Sequence, residues 1–289
     1  MFGFSSTGRG AHGSASGSAR HGEGSDSRTL GIWRLEERIH RGKWCDLHRA
    51  QPADGEGSPR YDYVVKISRA TIHEDPEGAR QLRSEAAAAA AAKHPHLLAV
   101  LDGQLAGLRP FLVMPKIEGN TLVELCGAAE IKLPMLLWWF RQVAQALDSL
   151  HTAGWVHGDV KGENILIDRC GHTTLIDLGM AQPIGSPRGG AFRGTLKYAA
   201  PERLDGKSPS AQRASAAEDI YAFGTLLAEL VPRNSLGLEG MNQLIAQATA
   251  HHAGLRPAAR SIAAILLRLE IESLHMYIRP PRGVAARVA

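Results

Sequence analysis

Cysteine is scarce in this sequence. Three occur among 289 residues, at Cys45, Cys126 and Cys170, and they are widely spaced. Thiols so few and so far apart form neither a metal-binding pattern nor the disulfide framework of a small secreted domain. We therefore expect a protein of a reducing compartment, the cytoplasm.

Long apolar runs are also missing. A membrane-spanning helix needs about 18 or more consecutive apolar residues. The best candidate, residues 131–147, is interrupted by Lys132, Pro134 and Arg141. The first 30 residues lack the apolar central stretch of a signal peptide. The sequence therefore predicts neither membrane insertion nor a cleaved secretion signal.

Charge of one sign does not dominate. The formal net charge is +4 over the whole chain, which is too small to indicate a nucleic-acid partner. A chain of this length can form one large domain or two modest lobes with a proper core. Nothing in the composition defines the oligomeric state.

The two ends of the chain differ from its middle. Residues 1–29 are rich in Gly, Ser, Arg and His, so they cannot bury enough apolar surface to offset the entropy of ordering. Residues 271–289 end in a stretch with Arg279, Arg282, Arg287 and two prolines. We predict a disordered leader and a basic tail on either side of a folded domain.

The first part of that domain predicts mainly β-structure. Apolar segments bounded by turn residues predict strands at residues 33–39, 45–50, 61–67, 97–101 and 111–114. One helix is predicted at 82–92, because this segment holds seven consecutive alanines.

The second part changes to a helical period. Apolar residues recur at steps of three and four along one face: Leu137, Phe140, Ala144 and Leu147, together with His151. Pro134 and Gly154 bound this helix. A hairpin is predicted from 165–167 and 174–176, and most of 218–269 is predicted to be helical. The fold class is therefore α+β, with a cleft between a β-rich lobe and a helical lobe.

Three short motifs carry the chemistry: His157-Gly158-Asp159-Val160-Lys161-Gly162-Glu163-Asn164, Asp177-Leu178-Gly179 and Ala200-Pro201-Glu202. Phosphoryl transfer needs a carboxylate to orient the attacking hydroxyl, oxygen ligands for Mg²⁺, and a cation near the transferred group. Asp159 suits the first role and Lys161 the last. Asn164 and Asp177 suit Mg²⁺, and the predicted hairpin would bring them to the same end of two paired strands.

In order and spacing these motifs resemble the eukaryotic-type protein kinase superfamily. The catalytic loop of that family, His-Arg-Asp-x-Lys-x-x-Asn, is matched at every position but one, where Gly158 replaces the Arg. Asp177-Leu178-Gly179 stands for Asp-Phe-Gly, and Ala-Pro-Glu is intact. Three further segments match: Gly194-Thr195-x-x-Tyr198 resembles the substrate-docking segment, Asp219-x-Tyr221-x-x-Gly224 the helix that braces the catalytic loop, and Arg256 the partner of Glu202.

The resemblance covers about residues 30–270 and implies a bilobal kinase domain. The N-lobe would span about 30–114, the hinge 115–118 and the C-lobe 119–270. This C-lobe is shorter than usual, since Asp219 and Arg256 are 37 residues apart.

The resemblance also assigns the ATP site. Lys66 in Val64-Val65-Lys66 would hold the α and β phosphates, and Glu85, 19 residues later, would pair with it. Met114 falls at the gatekeeper position. The remaining contacts would be with adenine, through the backbone of Pro115 and Ile117 at the hinge and the side chains of Leu47, Val64 and Leu166.

The glycine-rich loop departs from the family pattern Gly-x-Gly-x-x-Gly-x-Val. In residues 40–47 only the middle glycine, Gly42, is present. The side chains of His40 and Cys45 restrict the approach of the backbone to phosphate. Positive charge on Arg41 and Lys43 could offset this in part.

The expected activity is transfer of phosphate from ATP, with Mg²⁺, to serine or threonine of a protein substrate. Lys161 and Thr195 resemble the Ser/Thr branch. One alternative is a pseudokinase that serves as a binding scaffold, for which the glycine-poor loop is the support. A small-molecule kinase is a second alternative, disfavoured because Ala-Pro-Glu and its activation segment are present.

The regulatory switch of many kinases is incomplete here. Gly158 replaces the Arg that binds a phosphorylated activation segment, and the usual acceptor position holds Ala191. We therefore expect activity without phosphorylation of that segment. The alternative is that Arg188 or Arg193 receives a phosphate on Ser186.

The composition also suggests an origin. A compact kinase with a Gly/Ser-rich leader and an Ala/Arg-rich chain resembles bacterial kinases, including effectors secreted into host cells.

Overall fold

The protein is represented by a computed structural model that describes residues 29–55, 61–188, 193–205, 213–231 and 239–278. The predicted leader lies outside these ranges apart from Thr29. The first part of the described chain holds six strands, with one helix between the fourth and the fifth: β1 (Thr29–Leu30), β2 (Trp33–Arg41), β3 (Cys45–Pro52), β4 (Tyr63–Ser68), β5 (Asp102–Gln104) and β6 (Phe111–Pro115). They form one antiparallel sheet in the order β1-β2-β3-β4-β6-β5.

One face of this sheet is apolar because side chains alternate along each strand. Its buried cluster contains Trp33, Leu35, Ala50, Val65, Phe111 and Val113. The ring of Trp33 meets Tyr63 edge to face at 4.9 Å between centroids. Its indole nitrogen donates to Asp102 at 2.6 Å. Three strands separate β2 from β5 in the sheet order, so this bond requires the sheet to curl.

The main helix of this lobe, α1 (Pro76–Ala91), begins six residues before the predicted start at 82. Asp75 caps it by accepting a hydrogen bond from the backbone nitrogen of Glu77 at 2.9 Å, and Pro76 occupies the first turn. Both are strong helix-start signals. The predicted start was too late because it relied on the helix propensity of the alanine run and did not use the capping signal at Asp75 and Pro76.

The predicted strand at 97–101 is wrong. Leu97 forms an isolated bridge with Leu175, and the backbone nitrogen of Leu98 donates to the Leu175 oxygen at 3.0 Å. Leu97 is buried in the core of the helical lobe. This apolar run therefore anchors one lobe to the other, and the edge strand, β5, begins five residues after Leu97, at Asp102.

The second lobe is mostly helical, as predicted. Its helices are α2 (Leu122–Ala128), α3 (Leu133–Thr152), α4 (Pro201–Asp205), α5 (Ala216–Leu230), α6 (Glu239–Ala248) and α7 (Ala259–Ile278). The α3 helix carries the core and packs along α7. Phe140 of α3 meets Phe223 of α5 with the two rings almost perpendicular and 5.6 Å apart. The predicted two-lobed α+β class is confirmed.

The last helix passes the predicted domain boundary at residue 270. Leu269 and Ser273 are both buried, and Arg141 of α3 pairs with Glu270 at 2.7 Å. Because these contacts hold the helix on the lobe, α7 continues to Ile278. The predicted tail therefore begins inside a helix, and residues 279–289 lie outside the described chain. None of the described helices is long and apolar enough to cross a membrane.

Candidate active site

A hairpin brings two predicted metal ligands together. Strands β9 (Ile165–Asp168) and β10 (Thr173–Leu175) pair antiparallel. Beyond the last pair, the backbone nitrogen of Ile176 donates to the Asn164 oxygen at 2.9 Å. Asn164 and Asp177 therefore flank the same end of the hairpin, as the sequence predicted. A third strand, β7 (Gly119–Thr121), pairs with β9 and completes this small sheet. Between them in the chain, β8 (Trp155–Val156) pairs antiparallel with residues 182–183 instead.

Asp219 on α5 fixes the loop before Asn164. Its carboxylate accepts hydrogen bonds from the backbone nitrogens of His157 at 2.7 Å and Gly158 at 2.8 Å. It also lies 2.9 Å from the Nε2 atom of His151. Burial opposes ionisation of Asp219, but its hydrogen bonds with His151 and Gly158 outweigh burial and lower its pKa. The predicted bracing contact is present.

Asp159 lies at the centre of a polar cluster. One carboxylate oxygen accepts from the backbone nitrogen and the hydroxyl of Thr195, at 3.0 and 2.9 Å. The other accepts from Lys161 at 2.6 Å and from the amide nitrogen of Asn164 at 3.3 Å. Lys161 is also 3.2 Å from the Thr195 hydroxyl. A carboxylate, a cation and a hydroxyl-bearing segment are thereby held together.

Lys66 bridges the two lobes. Its ammonium group lies 2.7 Å from Glu85 on α1 and 2.7 Å from Asp177. Burial alone would lower the pKa of Lys66, but the charges of Glu85 and Asp177 outweigh burial and raise it. The Asp177 side chain is 44% exposed; its partial burial is likewise outweighed by Lys66, and its pKa falls to about 2. Both groups are therefore ionised at neutral pH.

Asp177 adopts an unusual backbone conformation. Its φ and ψ angles are 64° and 72°, the left-handed region, and it is the single described residue other than glycine with positive φ. Such a conformation costs roughly 1–3 kcal/mol and is held where the surroundings require it. Here the surroundings are Lys66 and the backbone nitrogen of Gly179.

The donor set suits a magnesium ion. The amide nitrogen of Asn164 is directed at the backbone oxygen of Asp159, 2.9 Å away. The amide oxygen of Asn164 and the carboxylate of Asp177 are then the oxygen donors at this end of the hairpin. Mg²⁺ commonly takes one or two such protein ligands and completes its shell with water and phosphate oxygens. No group of three or more His, Cys, Asp or Glu suited to a metal occurs among the described residues.

The side chains predicted to contact adenine come from two different sheets. Leu47 on β3, Val64 on β4 and Leu166 on β9 are all partly buried. Met114 on β6 is buried beside Val64 in the sheet. Pro115 ends β6, and Ile117 follows it. Their contacts with a nucleotide stay a prediction.

The turn between β2 and β3 explains why Gly42 is present. Its backbone nitrogen donates to the Cys45 oxygen at 2.9 Å. A Cβ atom at Gly42 would lie 2.6 Å from that same oxygen, so a larger residue would break the turn. Arg69 donates to the backbone oxygens of Gly42 and Lys43 at 3.1 and 3.2 Å. Sequence reasoning missed this support from Arg69.

The sequence also did not predict a buried charge cluster at the activation segment, which is the chain between Asp177-Leu178-Gly179 and Ala200-Pro201-Glu202. The charge cluster consists of Arg188, Arg203 and Glu218. Both guanidinium groups donate to the same oxygen of Glu218, that of Arg203 at 2.9 Å. Burial raises the pKa of Glu218, and the charges of the two arginines oppose that rise. Glu218 directly precedes Asp219 in the first turn of α5, where an acidic side chain also interacts favourably with the helix dipole.

The predicted pair of Glu202 and Arg256 forms. The two guanidinium nitrogens donate to the two carboxylate oxygens at 2.6 and 2.7 Å. The Arg256 side chain is fully buried, and it also donates to the backbone oxygens of Ala217, Ala250 and His251. A buried bidentate pair of this kind fixes the segment after Ala-Pro-Glu against the lobe.

Known proteins are similar to this chain. The family profile described as "Protein kinase domain" matches residues 58–261. A probable serine/threonine-protein kinase of Streptomyces coelicolor is 33% identical over 178 residues, covering 58% of this chain and 26% of the relative. The serine/threonine-protein kinase PknL of Mycobacterium bovis is 32% identical over 243 residues, covering 73% and 58%. PknB of Mycobacterium leprae is 32% identical over 211 residues, covering 70% and 31%.

The chain thus spans between a quarter and three fifths of the length of these relatives. The profile, in contrast, covers well over half of the chain itself. The profile match, the polar cluster at Asp159 and the Lys66 bridge agree, and this chain belongs to the protein kinase domain family.

Proposed function

We propose that this chain is an ATP-dependent protein kinase that phosphorylates serine or threonine. The observation that carries the proposal is the contact set of Asp159. Its carboxylate accepts hydrogen bonds from Lys161 and from Thr195, which lies in the segment expected to dock the substrate. It also accepts one from Asn164, which is a predicted metal ligand.

Asp159 would orient the attacking hydroxyl and accept its proton. General bases act at hydrogen-bond distance from the proton they remove, and the two oxygens of Asp159 are held by Thr195 on one side and Lys161 on the other. Lys161, 2.6 Å from Asp159, would also place a positive charge beside the transferred group. Positioning and charge stabilisation are the main contributions that proteins make to this reaction.

Nucleotide binding would rest on Lys66 and the hairpin end. Lys66 is fixed by two carboxylates and keeps its charge, which suits contact with the α and β phosphates. Asn164 and Asp177 would hold Mg²⁺, which neutralises phosphate charge when bound. Glu85 would position Lys66 without touching the nucleotide.

Serine and threonine are the proposed acceptors. Lys161 contacts the Thr195 hydroxyl, and these are the two positions that resemble the Ser/Thr branch. The relatives reported above are also named serine/threonine kinases.

The Asp159→Asn variant tests the proposal. It should abolish phosphate transfer to a generic protein substrate and to the chain itself, because Asn cannot accept the hydroxyl proton. Its thermal shift with ATP and Mg²⁺ should match that of the wild type, since Asp159 is not placed to hold nucleotide. Asp54→Asn, on an exposed turn, is the matched control and should stay fully active. Wild-type turnover in Asp159→Asn would refute the assignment.

A pseudokinase scaffold is the second candidate, favoured by the single glycine of the β2–β3 turn. The same thermal-shift experiment separates the two. A ligand at 100 times its dissociation constant stabilises the folded state by about 2.7 kcal/mol. A wild-type chain with no shift in ATP and Mg²⁺ and no phosphate transfer would be a scaffold.

A further inference from the structure

We propose that Glu218 is a positioning residue that orders the activation segment by pairing with Arg188 and Arg203. This inference rests on the proposed kinase function. It assigns a regulatory role to charges that are part of the chain itself.

The contacts of Glu218 connect both sides of the segment. Arg188 lies in its first half and Arg203 on α4 after it. Both reach the same carboxylate oxygen. Arg203 also donates to the backbone oxygen of Arg193 at 2.9 Å, so Glu218 is linked to the segment at two places, directly at Arg188 and through Arg203 at Arg193.

These charges are largely removed from water. The exposed fractions of the side chains are 5% for Glu218, 13% for Arg188 and 10% for Arg203. Removing one member of a buried ion pair is strongly destabilising, because its partner is left uncompensated. Two neighbouring guanidinium groups could together bind a phosphate, but here both already bind the Glu218 carboxylate.

The path from Glu218 to the reacting groups is short. Arg193, held through Arg203, lies two residues before Thr195. The nitrogen and hydroxyl of Thr195 both donate to Asp159. Displacement of the segment would therefore withdraw two hydrogen bonds from Asp159.

Two consecutive acidic residues at the start of α5 bind two different segments. Asp219 holds the catalytic loop through the nitrogens of His157 and Gly158. Glu218 holds the activation segment that meets this loop. One rigid helix turn therefore sets the position of both, and Asp159 and Thr195 are brought together without any modification of the chain.

A second connection leads to the N-lobe. The Arg193 side chain pairs with Glu77 of α1 at 3.2 Å, and α1 also carries Glu85, the partner of Lys66. An ordered segment would thus favour the position of α1 in which the bridge at Lys66 forms.

A charge-removing variant, Glu218→Gln, tests the inference. Glu270→Gln is the matched control, because Glu270 on α7 also pairs with an arginine, Arg141 on α3, in a partly buried site. Three quantities are compared for each variant: turnover on a protein substrate, ATP affinity, and the rate of tryptic cleavage after Arg193 and Lys197, mapped by mass spectrometry.

We expect Glu218→Gln to lower turnover by about tenfold or more, which corresponds to about 1.4 kcal/mol. ATP affinity should stay within about threefold, because Lys66 keeps its direct contacts with Glu85 and Asp177 and the link through Arg193 and Glu77 is indirect. Cleavage after Arg193 and Lys197 should accelerate by a similar factor. Glu270→Gln should lower the melting temperature without changing turnover or cleavage at these sites.

Several outcomes would overturn the inference. The inference fails if the cleavage rate of Glu218→Gln equals that of the wild type. It also fails if Glu218→Gln lowers the melting temperature but leaves turnover and cleavage unchanged, because the charge cluster would then serve stability alone. If Glu218→Gln fails to fold, Arg188→Gln replaces it with the same expectations. The double variant Arg188→Gln/Glu218→Gln should be less impaired than the sum of the two singles. If the wild type transfers no phosphate, the proposed function fails, while cleavage still decides the role of Glu218.

Discussion

Gly158, next to the proposed base, has a backbone that other residues adopt with difficulty. Its φ angle is +82°, and a Cβ atom there would lie 2.7 Å from the backbone oxygen of Met180. The left-handed region costs a residue with a side chain roughly 1–2 kcal/mol, and the contact adds to this. The glycine is therefore required by the local geometry, and an arginine at this position would meet the same obstacle.

We expect Gly158→Ala to lower the free energy of unfolding by about 2 kcal/mol or more. Chemical denaturation measures this directly. Gly127→Ala on α2 is the control, because nothing lies within 4 Å of its added Cβ. This control should be neutral or stabilising by up to about 1 kcal/mol. Equal stability of the two variants would show that Gly158 is under no such constraint.

The cysteines should differ in reactivity. Burial, opposed in part by the charge of Lys66, raises the pKa of the Cys45 thiol to about 11, whereas Cys170 is exposed. Since the thiolate is the reactive form, iodoacetamide at pH 8 should label Cys170 first and Cys45 last. Peptide mass spectrometry measures the order, and in urea all three cysteines should react alike. Labelling of Cys45 as fast as Cys170 in the folded protein would contradict this.

At the residue level, the sequence could predict whatever lies within a continuous motif. Asp159, Lys161 and Asn164 share one loop, and their spacing sets their chemistry. The charge cluster could not be predicted this way. Arg188, Arg203 and Glu218 meet only because three elements converge, and a buried charge resembles a surface charge until its partners are known.

Among the elements, α1 has the most direct effect on the site, because it carries Glu85 to Lys66. We expect Lys66→Ala to reduce turnover strongly and Glu85→Ala to reduce it less. The double variant should be little worse than Lys66→Ala, since the two side chains act as a unit. Steady-state kinetics on a protein substrate measures all three.

Arg83→Ala provides a control on the same helix, because Arg83 is exposed on the opposite side from Glu85 in the burial pattern. It should leave turnover unchanged. Losses for Lys66→Ala and Glu85→Ala that add fully in the double variant would show that the pair does not work as one unit.

The limits of the elements were predicted less well than their type. Alanine propensity located α1 but not its start, which depends on the cap at Asp75 and on Pro76. The apolar run at 97–101 has the composition of a strand, yet Leu97 turns into the core of the other lobe. Such tertiary contacts outweigh a local pattern of four or five residues. The same holds for α7, whose last turns depend on packing against α3.

For the whole molecule, the α+β class and the two lobes followed from the change of period along the chain. The curl of the sheet did not, because it depends on contacts such as that between Trp33 and Asp102, 69 residues apart in sequence. The relation between the lobes likewise depends on Lys66, Glu85 and Asp177, which come from three distant segments.

Activity should be a property of the unmodified chain. The two arginines that could have received a phosphate already contact carboxylates, Arg188 with Glu218 and Arg193 with Glu77. Ala191 lies outside the described residues. Phosphatase-treated protein and Ser186→Ala should both keep wild-type turnover on an external substrate, with untreated protein as the reference. Loss of most of the turnover in either would show that phosphorylation is needed.

The carboxylate of Asp219 also determines how the molecule can come apart. The amide hydrogens of His157 and Gly158 are bonded to a side chain that is 1% exposed on a helix at the centre of the lobe. Proteins open in cooperative units, and an amide exchanges with solvent only when its unit opens. The loop of Asp159 and the start of α5 should therefore form one such unit. Hydrogen exchange at these two amides should be as slow as at the α5 backbone, so that the loop, although it lies at the cleft, never unfolds by itself.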